Sequence, residues 1–300
     1  MLKDGKLFDI ILFLNEFDLL EVRLDTLYEI VDYFIITEIN ETFSGVKKPL
    51  LFEASKERYR KYSDKIIYNP IGNKELLELN KSPYSKYKSD FNKSIYYQNG
   101  GKEYKYCNSS LTREVNHRDS QIIGFLNFIT PEDYILLSDL DEIPNPIVIE
   151  KAIKDYDDRI IYFKMEWYLY WINNRVSESW FGTVLTKFKN LENASLSNLR
   201  YASSNEKGVP GKIAENGGWH FSYLGGLQSI MKKLKSHPYQ GRRVQIALLL
   251  HRLKIRRFEK VIKRNEDIFF LNRKFEIIDV KKNFPKFLLN NYEIISKYMI

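Results

Sequence analysis

The feature that most constrains this sequence is an apolar segment that ends abruptly in carboxylates. Residues 134–146 read YILLSDLDEIPNP, and the run from Tyr134 to Leu137 is typical of a buried β-strand. Three acidic residues follow within four positions, Asp139, Asp141 and Glu142, and two prolines, Pro144 and Pro146, then predict an end to regular structure. Carboxylates this close repel one another and resist burial, so any fold that contains them must offset that cost.

The N-terminal region has the pattern of a βαβ unit. Leu7–Leu14 and Tyr33–Ile39 are apolar runs, and leucines recur between them at helical spacing after Asp18 and Glu21, which have capping-box spacing. This order predicts an α/β fold with a central, mostly parallel sheet whose two faces are covered by helices. Further strands are predicted at Lys65–Tyr68, Ile160–Met165 and Thr183–Phe188, and a further helix at Ser110–Phe128.

Composition narrows the class of protein. The 300 residues are 44% hydrophobic, which suits one large α/β domain or two small ones. The one cysteine, Cys107, excludes a disulfide framework and a cysteine-rich zinc site, and it fits a reducing, cytoplasmic setting. Apolar runs are too short to span a membrane, and Asp9 interrupts the N-terminal run, so neither a signal peptide nor a transmembrane segment is predicted.

The charge balance indicates the kind of partner. A net charge of +8 and a pI near 9.1 favour anionic partners: nucleotide, phosphate, anionic lipid or nucleic acid. Arg242–Arg264 concentrates basic residues around the apolar run IALLL, so a helix there could lie on anionic lipid at the inner face of a membrane. The alternative for that segment is a solvated helix face.

The acidic cluster is a candidate site for a divalent cation. In an open α/β sheet, ligands bind beyond the carboxyl ends of the strands. Asp139 and Asp141 are two residues apart, so on an extended chain they share a side and can hold Mn²⁺ or Mg²⁺. His220, in GGWHFSYLGG, could complete the set, since imidazole is a good ligand for Mn²⁺. The alternatives are a solvated acidic turn and a packed histidine.

Four ordered blocks of the sequence resemble glycosyltransferase family 17. They are NEFDLLEVRLDTLYEIVDYFIITEINETFSGVKKPL, REVNHRDSQIIGFLNFITPEDYILLSDLDEIPNP, GGWHFSYLGG and NFPKFLLNNYEIISKYMI. The family is best known for β-1,4-mannosyl-glycoprotein β-1,4-N-acetylglucosaminyltransferases. The resemblance implies a GT-A-type fold, a UDP-sugar donor with UDP-GlcNAc favoured, a divalent metal and inversion at the anomeric carbon. It aligns Asp139 and Asp141 with the family's DxD motif and His220 with the histidine of its GWH motif.

The resemblance also implies a division of the chain. Residues 1–300 are expected to form a single GT-A-like domain. Its donor-binding half would span 1–145, and the half that binds the acceptor and completes the metal site would span 146–240. A basic, mostly helical region, 241–300, would follow. The expected acceptor is a hydroxyl of a glycan or of a lipid-linked glycan, and nucleic acid is not expected to bind.

Roles can be assigned residue by residue on this basis. Asp141 and His220 would hold the metal against the diphosphate, with Asp139 acting through water or on the ribose. Candidates for the remaining donor contacts are Arg113, Arg118, Asn15, Glu16 and Glu38. Arg118 could instead pair with Glu114 on a solvated face, and Asn15 could merely cap a helix. Candidates for the general base are Glu142, Glu166, Glu178 and Glu215, of which Glu178 is preferred over Glu215.

Other functions remain open at this stage. The aromatic segment EWYLYWINN, residues 166–174, could form an acceptor wall or simply pack in the core. A catalytically inactive relative that binds sugar nucleotides or glycans would retain the same pattern. A basic nucleic-acid-binding protein would leave the acidic cluster unexplained, and a metal-dependent phosphohydrolase would need more histidine and aspartate ligands.

Overall fold

The computed structural model describes residues 4–88, 108–193, 195–204, 211–236, 249, 267 and 273–300. Its strands are β1 (Leu7–Phe13), β2 (Tyr33–Ile39), β3 (Ile66–Ile71), β4 (Tyr134–Asp139), β5 (Glu142–Pro144), β6 (Ile160–Leu169), β7 (Asn174–Lys187), β8 (Gly211–Ala214), β9 (Gly218–Ser222) and β10 (Phe275–Ile277). Its α-helices are α1 (Phe17–Leu27), α2 (Phe52–Ser55), α3 (Asn73–Glu78), α4 (Asn108–Ser120), α5 (Pro146–Lys154), α6 (Leu196–Ser204), α7 (Gly226–Ser236), α8 (Val280–Asn283), α9 (Lys286–Leu289) and α10 (Tyr292–Ile295).

One sheet joins all of these strands. Its main path runs β3-β2-β1-β4-β7-β6-β9-β5, with β10 beside β7 and β8 beside β6. The first four strands of this path, β3, β2, β1 and β4, are parallel to one another. Strand β6 is parallel to β8 and β9, whereas β7 runs antiparallel to β4 and β6. The predicted α/β class with a mostly parallel sheet flanked by helices is therefore confirmed.

The first strand shows why the sheet is covered on both faces. Leu7 and Ile11 belong to the core cluster on one face, while Phe8 and Ile10 belong to the cluster on the other. Successive side chains of a strand point to opposite faces, so both faces of β1 are buried. This is why the run is apolar throughout instead of alternating with polar residues.

Three local predictions are wrong at the level of single residues. Asn69 and Pro70 were expected to end the strand predicted at Lys65–Tyr68. Pro70 instead lies inside β3, where a proline is tolerated because β3 is the edge strand of the main path. Pro144 and Pro146 do not stop regular structure. Pro144 is the last residue of β5, and Pro146 begins α5, where Asn145 caps the helix by accepting from the Ile147 amide at 3.1 Å. Asp18 does not cap α1, because that helix already begins at Phe17. The Asp18 carboxylate instead accepts a hydrogen bond from the Tyr298 hydroxyl and pairs with Arg58.

Several predictions concern residues that the structure does not describe. Cys107 and nearly all of the basic segment Arg242–Arg264 lie outside the described ranges, so the predicted lipid contact of that segment stays a prediction.

The predicted strand Ile160–Met165 extends to Leu169, and the predicted helix Ser110–Phe128 begins at Asn108 and leaves α-helical geometry after Ser120. Within the described ranges, no helix is both long and apolar enough to cross a membrane.

Candidate active site

The strand order brings the acidic cluster and His220 together. Asp139 is the last residue of β4, and Glu142 begins β5 after a turn of two residues. Strand β5 pairs with β9 so that Glu142 lies opposite His220, and the Phe221 amide donates to the Asp141 carbonyl at 2.8 Å. His220 Nε2 consequently lies 3.6 Å from Asp141 Oδ2. The three residues predicted to hold a metal thus share one edge of the sheet.

Asp141 is buried and balanced by positive charge. Its carboxylate forms an ion pair with Lys233 of α7 and contacts His220. Burial opposes ionisation, but Lys233 and His220 together hold the pKa of Asp141 well below its usual range. The repulsion noted in the sequence is therefore offset at this residue by a lysine side chain.

Two arginines hold the Asp139 carboxylate. Arg118 of α4 donates to both of its oxygens, at 2.7 and 3.3 Å, and Arg200 of α6 donates to Oδ2 at 3.0 Å. Partial desolvation opposes ionisation, but the two guanidinium groups hold the pKa of Asp139 well below its usual range. Arg118 also pairs with Glu114 at 3.1 Å, which confirms the pairing that the sequence offered as an alternative. Both side chains are buried, however, so the pair does not lie on a solvated face.

Glu142 anchors the acidic turn from within the protein. It is fully buried, and its carboxylate accepts from the Trp180 indole at 2.6 Å, from the Asp139 amide at 3.0 Å and from Arg200. Burial raises its pKa, although Arg200 acts in the opposite direction. A Cβ atom at Gly182 would lie 2.5 Å from the Glu142 carboxyl carbon, so this packing requires glycine there. Glu142 is thus a structural anchor, and its burial makes it a poor general base.

Arg23 holds the backbone of the same turn. Arg23 and Asp9 are both fully buried, and the guanidinium donates to both Asp9 oxygens at 2.6 and 2.8 Å. The remaining donors reach the carbonyls of Asp139 and Glu142 and the hydroxyl of Ser138. One buried side chain of α1 therefore ties the end of β4 to the start of β5.

Two of the predicted donor-contact residues, Glu38 and Arg113, already have partners in the protein. Glu38 is fully buried and accepts from Lys48, from the Leu51 and Phe52 amides and from the Tyr68 hydroxyl. Arg113 donates to the Phe43 carbonyl at 2.9 Å, which fixes the Thr42–Gly45 turn. A donor could bind at these positions only by joining or replacing these contacts.

Asn15 and Glu16 lie just after β1, separated from it by Leu14, and are partly buried. Glu16 Oε2 accepts from the Asn15 amide at 2.9 Å. The Glu16 charge also acts on Lys233, where it helps to raise the lysine pKa. Because β1 pairs with β4 so that Leu12 lies opposite Asp139, both residues follow the end of the sheet that carries the acidic cluster.

The two preferred candidates for the general base, Glu178 and Glu215, lie in separate places. Glu178 is exposed on β7 and lines an open cavity of about 370 Å³ together with Glu166, Arg175 and Glu276. Glu215 follows β8, is also exposed and pairs with Lys164 at 3.0 Å. Glu166 is less accessible for base chemistry, since it accepts from Tyr168 at 2.7 Å and from Arg175 at 3.0 Å.

Aromatic rings surround the imidazole. The His220 ring lies 4.5 Å from the Trp180 ring and 6.1 Å from the Trp167 ring, which is nearly parallel to it. Of the aromatic segment 166–174, Trp167 is thus the residue placed beside the site. His220 Nδ1 is buried and accepts or donates no hydrogen bond within the described part of the chain.

Asp141 and His220 fit a divalent cation as a pair of ligands. A carboxylate oxygen and an imidazole nitrogen 3.6 Å apart can both reach one ion, because each bond is about 2.0–2.2 Å long. Among the described residues, no group of three or more histidine, cysteine, aspartate or glutamate side chains is arranged as a self-sufficient metal site. Further ligands would have to come from a bound molecule, and diphosphate oxygens are suitable.

Sequence reasoning missed Arg23, Arg200 and Lys233 as members of the site. Arg200 lies 61 positions after Asp139, and Lys233 lies 92 positions after Asp141. Neither Arg200 nor Lys233 belongs to a recognisable motif. They reach this edge only because α6 and α7 pack beside it in the folded chain. The one available signal is that Lys233 adjoins the apolar stripe Ile230, Met231 and Leu234, a pattern that indicates a helix packed against the core.

Comparisons with known proteins identify a family and solved structures of low similarity. The sequence profile of glycosyltransferase family 17 matches residues 2–93 and 81–287. No curated protein matches the sequence. Among solved structures, the inositol-1-phosphate CTP transferase from T. maritima is similar with a TM-score of 0.35 and 9% sequence identity, over 74% of this chain and 88% of that chain.

Proposed function

This chain belongs to glycosyltransferase family 17 and is a glycosyltransferase, and on that premise we propose that it moves a sugar from a UDP-sugar to a hydroxyl of a glycan or glycolipid, with inversion. GlcNAc is the favoured sugar, and a GT-A-type fold is part of the proposal. The observation that carries it is the cluster of Asp139, Asp141 and His220 at the carboxyl edge of parallel strands, where α/β folds bind nucleotides.

The charges around the cluster suit a nucleoside diphosphate. Asp141 and His220 would hold a divalent cation, Mn²⁺ or Mg²⁺, which stabilises the negative charge that grows on the leaving diphosphate. Arg118 and Arg200 keep Asp139 ionised and fixed at the opening of the site, where its side chain is 33% exposed. Asp139 is thereby the accessible carboxylate of the pair, and it can reach the ribose or a metal-bound water.

Trp167 and Trp180 give the site an apolar wall. Their rings lie against His220 and exclude water from one side of the imidazole. The Trp180 indole is fixed by its hydrogen bond to Glu142, so the wall is held by the same residue that anchors the acidic turn. Aromatic faces beside a metal-binding pair are suited to pack on a sugar ring.

A panel of nucleotide sugars tests the proposed function by binding. The wild-type chain is melted with UDP-GlcNAc, UDP-Gal, UDP-Glc and GDP-mannose, each with Mn²⁺, Mg²⁺ or EDTA. One UDP-sugar is expected to raise the melting temperature in a metal-dependent way, since a ligand at 100 times its Kd stabilises the folded state by about 2.7 kcal/mol. No shift with any nucleotide sugar would instead support an inactive relative.

The general base is tested by replacing Glu178 with glutamine. If Glu178 is the base, release of UDP in the presence of acceptor falls at least about 100-fold, while donor binding measured by thermal shift is unchanged. Glu276→Gln is the matched control, because Glu276 lines the same cavity and is paired with Arg175. Normal turnover in Glu178→Gln together with lost turnover in Glu215→Gln would move the role to Glu215.

A further inference from the structure

The helix that carries Lys233, α7, follows directly in the chain after β9, the strand that carries His220. After β9 the chain turns through Tyr223 and Gly225, both in left-handed backbone conformations with φ of 59° and 94°. Helix α7 then buries Ile230, Met231 and Leu234 against the core. Lys233 lies at the edge of that buried stripe, with its ammonium 5.4 Å from the centre of the Tyr223 ring. Its placement on Asp141 is therefore set by the fold.

Lys233 and the proposed cation would use the same oxygen. The ammonium contacts Asp141 Oδ2, which is also the oxygen that faces His220 Nε2. A divalent ion held between that oxygen and the imidazole would lie next to the ammonium. Positive charges this close repel strongly in a partly buried site, so the two cations cannot both remain on Asp141.

Of the described cations that form ion pairs with the acidic cluster, Arg118, Arg200 and Lys233, the lysine has the most freedom to move. The side chains of Arg118 and Arg200 are each 6% exposed, and each bonds to two carboxylates. The Lys233 side chain is 27% exposed and ends in a compact ammonium on a flexible stem. Displacement from Asp141 would leave that ammonium at the open side of the site, where a diphosphate would lie.

We propose that Lys233 is an exchangeable internal cation: it occupies Asp141 in the free chain, yields Asp141 to the divalent ion, and then binds the diphosphate of the donor. This inference rests on the proposed function. It explains how a buried Asp141 is stable before any metal arrives, because the lysine neutralises it. It also makes Lys233 a donor-binding residue that no sequence motif reveals.

The test measures two affinities of Lys233→Met by isothermal titration calorimetry. Mn²⁺ alone is expected to bind the variant at least about tenfold more tightly than the wild type, because its competitor is gone. UDP, titrated in saturating Mn²⁺, is expected to bind about tenfold more weakly, because the ammonium is lost. Lys232→Met is the matched control; Lys232 is exposed on the same helix, and both affinities should stay at the wild-type values.

The expected changes in Mn²⁺ and UDP affinity have opposite signs, which distinguishes cation exchange from a general distortion of the site. A distorted site would bind both Mn²⁺ and UDP more weakly, and that result would overturn the proposal. Unchanged Mn²⁺ affinity would overturn it as well, and so would unchanged UDP affinity. Lys233→Arg keeps a positive charge on Asp141, so it should not gain Mn²⁺ affinity; a gain there would show that charge competition is not the cause. If Lys233→Met does not fold, Lys233→Gln carries the same comparison.

Failure of this inference is distinguishable from failure of the proposed function. If the wild type binds a UDP-sugar in the melting panel but Lys233→Met lacks the two opposite changes, only the exchange is wrong. If the wild type binds neither Mn²⁺ nor any nucleotide, both the exchange and the proposed function are wrong.

Discussion

Replacing Asp141 by asparagine is expected to lower the rate of sugar transfer at least about 100-fold while the chain still folds. Asp141 is the buried carboxylate on which Lys233 and His220 converge. Asparagine has nearly the same shape but no charge, so of the proposed pair of ligands a cation would keep only the neutral imidazole of His220. Metal ions contribute several kcal/mol to such transition states, and each 1.36 kcal/mol corresponds to about a factor of ten in rate.

The measurement is UDP release with the donor identified by the melting panel, combined with Mn²⁺ binding by calorimetry. The Asp141→Asn substitution is also expected to leave the fold intact, because the freed Lys233 is partly exposed and can be hydrated. Asp157→Asn is the control: Asp157 forms ion pairs with Arg159 and Lys212 at the surface, and its loss should leave the rate unchanged. If Asp141→Asn kept more than a tenth of the rate, Asp141 would be excluded from the cation site.

The sequence was sufficient to predict three parallel strands of the sheet, including the one that ends in the acidic cluster. Continuous apolar runs predicted β1, β2 and β4 because buried parallel strands need apolar residues on both faces. The trio Asp139, Asp141 and His220 was predicted from motif residues, and the pairing of β5 with β9 places its members side by side. Those residues carry a signal because each sits at the end of, or within, a strongly patterned segment.

The positive half of the site could not be predicted in the same way. Arg200 and Lys233 lie on α6 and α7, far from the acidic cluster along the chain, and nothing local marks them. Their positions depend on how the helices pack over the sheet, which periodicity does not specify. Glu38 was predicted as a donor contact from its place at the end of a strand. In the structure it is buried and has four partners that anchor the segment around Leu51, and a donor would have to join or replace them.

Replacing Arg23 by methionine is expected to cost about 3–5 kcal/mol of folding free energy. Arg23 and Asp9 are both fully buried, and removing one partner leaves an uncompensated charge in the interior. Urea unfolding followed by circular dichroism measures the loss. Arg58→Met is the matched control, because Arg58 pairs with Asp18 and Glu21 but is 34% exposed, and surface ion pairs contribute only about 0–1 kcal/mol. Equal losses in the two variants would contradict a special role for the buried pair.

A double variant separates the two roles of Arg23. Combining Arg23→Met with Asp9→Leu removes both buried charges, and replacing a buried ion pair by apolar residues is often neutral for stability. Most of the lost stability is therefore expected to return. Sugar transfer is not expected to return, because the carbonyls of Asp139 and Glu142 still lack their common donor. The acidic turn would be free to shift, and small displacements of a catalytic group can cost about 100-fold in rate. If the double variant recovered full activity along with stability, Arg23 would be a structural residue alone.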